Sequence, residues 1–295
     1  MSDILLQVDG VSKIFGKNSA LKEVSVSFEE GKIYGLLGRN GAGKTTLLNL
    51  ITAKFAATSG RIHFKNEPVW ENPHVQSRIC YMTEKNMFPK DFKVKQLFKT
   101  AEAFYEGFDS SYALQLAENF RLDTDKKFKH LSKGFESIVK IIIALATSCP
   151  LVLMDEPVLG LDAAVRDEFY RVFLENFSRK PRTFIISTHL IEEVSSIIEE
   201  AVIIKSGELL LKKSVEELLQ MGYCAAGKSD CVDRYAEGRK IIYKEMVGNF
   251  KTVTVFEPAA QKDVQAASNL GVELVPVQLQ KLFVHLTGDI DREVS

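Results

Sequence analysis

The stretch from Gly38 to Thr46, GRNGAGKTT, is where this chain most plainly carries chemistry. Gly38, four residues (Arg39, Asn40, Gly41 and Ala42), then Gly43, Lys44 and Thr45, with Thr46 following, is a complete P-loop pattern. Its glycines let backbone N–H groups turn inward around phosphate oxygens with no Cβ in the way. Lys44 is placed to neutralise β- and γ-phosphate charge, and the Thr45 hydroxyl to ligate Mg2+. A second stretch, LVLMDEP, ends an apolar run on two carboxylates, Asp155 and Glu156. Beside a bound nucleotide, Asp155 would hold magnesium through its water shell. Glu156 would orient and polarise an attacking water. Without the P-loop, the same acidic pair reads as a solvated strand end. His189 closes a third apolar run, FIISTHL, and on residue type alone is a structural histidine.

These groups need strands to deliver them to one edge of a sheet. Apolar runs predict strands at Leu5–Val8, Val24–Phe28, Ile33–Leu37, Arg61–Phe64, Ile79–Met82, Leu151–Asp155, Thr183–Ser187 and Ala201–Ile204. Helical patterns fall at Lys44–Lys54, Val94–Glu106, Ser111–Phe120, Ser132–Thr147, Asp162–Phe177 and Ile191–Ile198. Alternation of the two predicts an α/β core with a largely parallel sheet. The first strands follow one another without helices, which predicts an antiparallel β portion at the front. The helix after the P-loop would point its positive end at the same anion.

Residues 86–130 break the alternation, and an inserted helical subdomain is expected over about 86–147. Phe88, Phe92, Phe98, Phe104, Phe108, Phe120 and Phe128 fall within it. They read as a small aromatic core, or, for Phe88 and Phe92, as a partner-docking surface. From about residue 222 the texture changes again. KIIYKEM, KTVTVFE and GVELVPV predict short strands around a helix near Ala259–Ser268. In the tail, Leu279, Leu282, Phe283 and Leu286 share one helical face that stops at Gly288. The expected division is 1–221 and 222–295, the second a small α+β domain.

Composition narrows the function. Lys+Arg number 38 against 39 Asp+Glu, so no basic field favours nucleic acid. Cys80, Cys149, Cys224 and Cys231 have neither CxxC spacing nor zinc-like histidine partners and read as free thiols in a reducing cytoplasm. The N-terminus is too short and acidic for a signal peptide. The longest apolar window, IVKIIIALA, is about half of what a spanning helix needs. Any membrane role is therefore expected to come through a partner.

One segment resists a single-chain reading. Leu131-Ser132-Lys133-Gly134-Phe135 opens a helix with a cation, where the macrodipole disfavours it by roughly 0.3–1 kcal/mol.

Taken together in this order, these motifs make the chain resemble the nucleotide-binding subunit of an ATP-binding cassette (ABC) transporter, over roughly residues 4–220. The P-loop and LVLMDEP match the two Walker motifs, and LSKGF the LSGGQ signature. Gly160-Leu161-Asp162 matches the D-loop, His189 the switch histidine that senses the γ-phosphate, and Phe15 the aromatic that stacks on adenine. The resemblance implies an ATPase using ATP and Mg2+ in a head-to-tail homodimer or heterodimer. Each ATP would lie between one subunit's P-loop and Ser132, Lys133 and Gly134 of the other, so the cation would meet a phosphate in trans. Closure on ATP and reopening after hydrolysis would drive an integral membrane permease, with the chain cytoplasmic and peripheral on the inner face of the cell membrane.

Three residues depart from the family pattern. Glu84 stands where a glutamine is usual, which would make it a third magnesium-side oxygen beside Thr45 and Asp155 while adding negative charge. Lys133 and Phe135 replace a glycine and a glutamine of the signature. Such variants are similar to the ATPases of ABC-2-type exporters, including those exporting antimicrobial or amphipathic peptides. A soluble non-transport ABC ATPase and a nucleotide-sensing scaffold are the competing expectations.

Overall fold

The structure, a computed structural model, describes residues 3–288. Within these residues it divides into two compact units: one runs to His189 and adds Ile197–Lys212, while the other comprises Leu190–Ser196 and residues 213–288.

In the first unit β1 (Ile4–Phe15) and β2 (Asn18–Glu29) form an antiparallel hairpin, and β3 (Ile33–Leu37) leads through the P-loop into α1 (Lys44–Ile51). The strands β4 (Ser59–Phe64) and β5 (Glu67–Pro68) complete a four-stranded sheet of order β2-β1-β4-β5. This is the antiparallel front portion, with strands longer than the apolar runs alone predict. A short helix α2 (Pro73–Gln76), capped by the Asn72 side chain, precedes β6 (Ile79–Met82). Then come α3 (Val94–Phe104), α4 (Ser110–Asn119) and α5 (Lys133–Ala146), the helical insertion. The chain returns to the sheet with β7 (Leu151–Asp155), α6 (Ala163–Arg179), β8 (Thr183–Thr188), β9 (Glu200–Lys205) and β10 (Glu208–Ser214).

The main sheet has order β10-β9-β3-β8-β7-β6, and its β9-β3, β3-β8, β8-β7 and β7-β6 pairs are parallel. Every residue of β3, β7 and β8 is buried, as continuous apolar runs covered on both faces should be. Register does the rest. Leu37 pairs with Thr188, Asp155 with Ser187, and Met82 with Met154, so four strands end together on one edge.

Among the insertion's aromatics, Phe98, Phe108, Phe120 and Phe128 are buried, as an aromatic core requires, and Phe88 packs edge-on against Phe128 at 5.4 Å. Phe92 and Phe104 are exposed. The C-terminus of α5 is clamped by Arg182, whose buried guanidinium donates to the Thr147 and Leu145 carbonyls and to Asn176. A cation at a helix C-terminus meets the negative end of the dipole.

In the second unit, helix α7 covers only Ile191–Val194, shorter than the expected Ile191–Ile198. Ser195 Oγ turns back to the Glu192 carbonyl at 2.7 Å, the local bond by which serine competes with the helical ladder. Next, α8 (Val215–Gln220) carries a Ser214/Glu217 capping box, followed by β11 (Tyr223–Lys228) and α9 (Ser229–Ala236). The elements β12 (Ile241–Val247), β13 (Phe250–Val255), α10 (Gln261–Leu270), β14 (Glu273–Pro276) and α11 (Leu279–Thr287) complete an antiparallel sheet of order β12-β13-β11-β14 with its helices. Leu279, Leu282 and Phe283 of α11 are buried and Leu286 is half-buried. His285 of the same helix stacks flat on Tyr243 at 3.8 Å.

Candidate functional site

The shared strand edge is where the predicted groups meet. After β3 the loop turns through Gly41 and Gly43, both at positive φ. At Gly43 (φ 112°) a Cβ would lie 2.7 Å from Leu21 Cδ2 and 2.8 Å from the Ala20 carbonyl, so only glycine fits. Lys44 is 7% exposed and donates to the Gly38 carbonyl at 2.6 Å and the Arg39 carbonyl at 3.4 Å. Burial pushes its ammonium below the ordinary lysine pKa, against the pull of Glu156 and Asp155. A buried cation satisfied by carbonyl dipoles of its own loop is poised to exchange them for an anion.

Asp155, buried at the end of β7, accepts from the Thr45 hydroxyl at 2.8 Å and from the Tyr81 hydroxyl at 3.4 Å, both at Oδ2. Burial and Asp155 both raise the Tyr81 phenol above its usual pKa, so it stays a donor. The Thr45–Asp155 pair is a hard-oxygen set of the kind that suits Mg2+ alongside phosphate oxygens. Among the described residues no cluster of three or more His, Cys, Asp or Glu could hold a metal; magnesium in a nucleotide site draws its remaining ligands from phosphate and water.

Glu156 sits just past the strand with φ 51°, a left-handed conformation unusual for a side chain of this size. Its N–H donates to the Ser187 carbonyl at 2.8 Å, which turns the carboxylate toward β8. There Thr188 Oγ1 donates to Oε2 at 3.0 Å, and His189 Nδ1 lies 2.9 Å from Oε1. Against a carboxylate, Nδ1 is the nitrogen that carries the proton. Strain of this kind persists only where the surroundings hold it.

Phe15, 46% exposed, completes the site from the end of β1. One cavity of about 1060 Å³ is lined by Phe15, the P-loop from Asn40 to Thr46, Glu84, Glu156 and His189. Asn18, Lys22, Leu159 and the Ser206-Gly207 turn also line it, and sequence reasoning missed them because no motif marks them.

The signature and D-loop positions are elsewhere. Ser132, Lys133, Gly134 and Asp162 do not line this cavity. Ser132 caps α5, its Oγ accepting from Phe135 N at 3.3 Å, and Lys133 is exposed in the first turn, which also holds Glu136. Gly134 lies close to the Gly160 carbonyl, 3.1 Å from where a Cβ would sit. Asp162 caps α6, accepting from Val165 N at 3.0 Å. The Glu84 carbonyl, with that of Thr83, accepts from Lys140 Nζ at 2.8 and 3.0 Å. A single chain therefore assembles the phosphate, carboxylate and aromatic groups but leaves the signature apart.

A second cavity, about 710 Å³ and largely apolar, lies beside β6, α3 and α5. Tyr81, Phe88 and Phe104 line it with three lysines, Lys54, Lys85 and Lys140, and no carboxylate. Phe92 does not reach it.

Comparisons with known proteins agree with this geometry. The family profile for ABC transporters matches residues 21–159. The ABC transporter ATP-binding protein YtrB of Bacillus subtilis is 31% identical over 72% of this chain and 73% of its own length. The lantibiotic transport ATP-binding protein SrtF of Streptococcus pyogenes is 29% identical over 72% of this chain and 92% of its own. A nucleotide-free ATP-binding cassette from an ABC transporter superposes with a TM-score of 0.62 at 25% identity, covering 73% of this chain and 93% of that one.

Proposed function

The chain belongs to the ATP-binding proteins of ABC transporters, and from that premise we propose that it hydrolyses ATP with Mg2+ to power a separate integral membrane permease. The observation that carries this reading is the carboxylate of Glu156, held at both oxygens by Thr188 and His189 on the wall of the cavity that holds the P-loop. A scaffold that only senses nucleotide has no use for a strained, oriented base.

In this reading Lys44 leaves the Gly38 carbonyl for β- and γ-phosphate oxygens, joined by backbone N–H groups of residues 38–46. Thr45 and Asp155 would hold the magnesium, with Glu84 able to contribute an oxygen from the cavity wall. When bound, the ion neutralises developing charge on the phosphates. Glu156 takes a proton from the attacking water. To do so one of its oxygens must be released, and His189, with 40% of its side chain exposed against 10% for Glu156, is the partner free to swing toward the γ-phosphate. Phe15 stacks on the adenine. Ser132, Lys133 and Gly134 serve the ATP of a second subunit, with Asp162 at that interface, because one chain keeps them off its own cavity. Homodimer and heterodimer use the same geometry.

The apolar cavity edged by lysines is the surface we assign to the permease. It suits an apolar segment carrying a carboxylate, and Phe88 contributes to it as a docking surface should. Among the described residues no helix is long and apolar enough to cross a membrane; in this reading the partner holds the chain at the inner face of the cell membrane. The likeness to a lantibiotic transport protein, with Lys133 in the signature and Glu84 in the loop, favours an ABC-2-type exporter of peptide or amphipathic substrates.

Steady-state ATP turnover with the permease copurified in lipid vesicles tests the reading. Glu156→Gln should retain ATP binding, lose turnover by roughly a hundredfold or more as removal of a general base does, and accumulate a nucleotide-bound dimer. Turnover at the parental rate would remove Glu156 from the chemistry.

A further inference from the structure

Tyr81 lines the apolar cavity and also touches the carboxylate at the end of β7. It belongs to β6, which pairs with β7 so that Tyr81 lies opposite Leu153, two residues before Asp155. Its ring lines the apolar cavity, where the Lys54 ammonium sits 4.5 Å from the ring centre. Its hydroxyl reaches the other way, to Asp155 Oδ2, on the same oxygen that Thr45 engages. Asp155 is 2% exposed, so the donors that hold it come from the protein, and each one fixes the rotamer of a buried carboxylate.

We propose that Tyr81 is a positioning residue: through its hydroxyl it sets the carboxylate of Asp155 for the metal. The proposal rests on the reading of Asp155 as the magnesium carboxylate. On Asp155 Oδ2 the Tyr81 hydroxyl is the second protein donor, beside that of Thr45. The cation over the ring draws electron density from it, which makes the hydroxyl a better donor to a carboxylate. Glu84, three residues on, adds charge where the family pattern has a neutral side chain, so a second neutral donor near the metal has a defined place in this chain.

The test uses the full chain carrying Glu156→Gln, which removes turnover, and reads binding of a fluorescent ATP analogue in EDTA and along a Mg2+ titration. Tyr81→Phe keeps the ring and deletes only the hydroxyl. It should leave affinity in EDTA unchanged and raise the Mg2+ concentration for half-saturation roughly fivefold, the size of a long hydrogen bond to a charged group. Asp155→Asn is measured alongside. If Asp155→Asn raises the Mg2+ requirement and Tyr81→Phe does not, the proposal fails and the reading of Asp155 stands. An equal loss of affinity with and without Mg2+ in Tyr81→Phe reduces the hydroxyl to packing and also overturns it. If neither variant alters the Mg2+ dependence, the assignment of Asp155 falls and takes the proposal with it.

Discussion

Phe15 shows how a half-exposed ring can still be held. Phe55 meets it edge-on at 5.3 Å, and Lys13 places its ammonium 5.0 Å from one ring and 4.8 Å from the other while donating to the Ala56 carbonyl at 2.6 Å. A ring fixed before the base arrives loses little rotamer freedom on stacking. Phe15→Ala should therefore weaken ATP by roughly 1–3 kcal/mol, by analogy with base–aromatic stacking, and leave inorganic triphosphate unaffected in a competition assay. Equal weakening of both ligands would take Phe15 off the adenine. At this scale the sequence was readable wherever the chemistry is local: the P-loop, Asp155, Glu156 and His189 are contiguous with the strands that deliver them. The partners that hold those groups were not readable. Thr188, Tyr81 and Phe55 act across strands or turns, and only register brings them to Glu156, Asp155 and Phe15.

Elements with one strong period were legible from the residues, and those with mixed signals were not. The buried strands β3 and β7 have the predicted bounds, because an apolar run covered on both faces admits few alternatives. By contrast β10, ELLLKKS, and β11, YCAAGK, have too little apolar alternation to mark them; their pairing is decided by neighbours in the sheet. In α11 the apolar face was visible, but the role of His285 was not. Burial, with help from Lys281, pushes its pKa down to about 4 from the ordinary 6.5, and its Nδ1 is buried without a hydrogen-bond partner among the described residues. The unfolded chain thus binds a proton that the folded helix refuses, so stability rises with pH between about 4 and 6.5. Hydrogen exchange of α11 in the intact protein should quicken as pH falls through that window, after correction for the intrinsic rate. In His285→Phe, which keeps the stack on Tyr243, that acceleration should disappear; its persistence would point to another group.

For the molecule as a whole, the lysine that opens α5 is the residue whose meaning depends most on a second copy. Inside one chain it is a small cost: Lys133 is exposed, and Glu136 in the same turn offsets it at the positive end of the helix. Opposite a triphosphate the cation and the dipole pull together. Lys133→Ala should weaken ATP-driven dimerisation of the Glu156→Gln chain, followed by light scattering, while ATP binding by the single chain stays as it was. Unchanged dimerisation would leave Lys133 as a solvated helix-start residue. The change of texture near residue 222 led to an expected division there, whereas one compact unit resumes at Lys213 and takes in Leu190–Ser196, which in sequence lies between two strands of the other. Such an excursion leaves no compositional trace. One further consequence follows from the clamp at the far end of α5. Arg182 pins the helix by its last carbonyls while Lys133 at its start is exposed, and 14 residues at 1.5 Å each make an arm of roughly 21 Å. Pivoting that arm by about ten degrees at its fulcrum sweeps the tip through nearly 4 Å, so a tilt too slight to disturb the packing at Arg182 can carry Lys133 from solvent into reach of an anion.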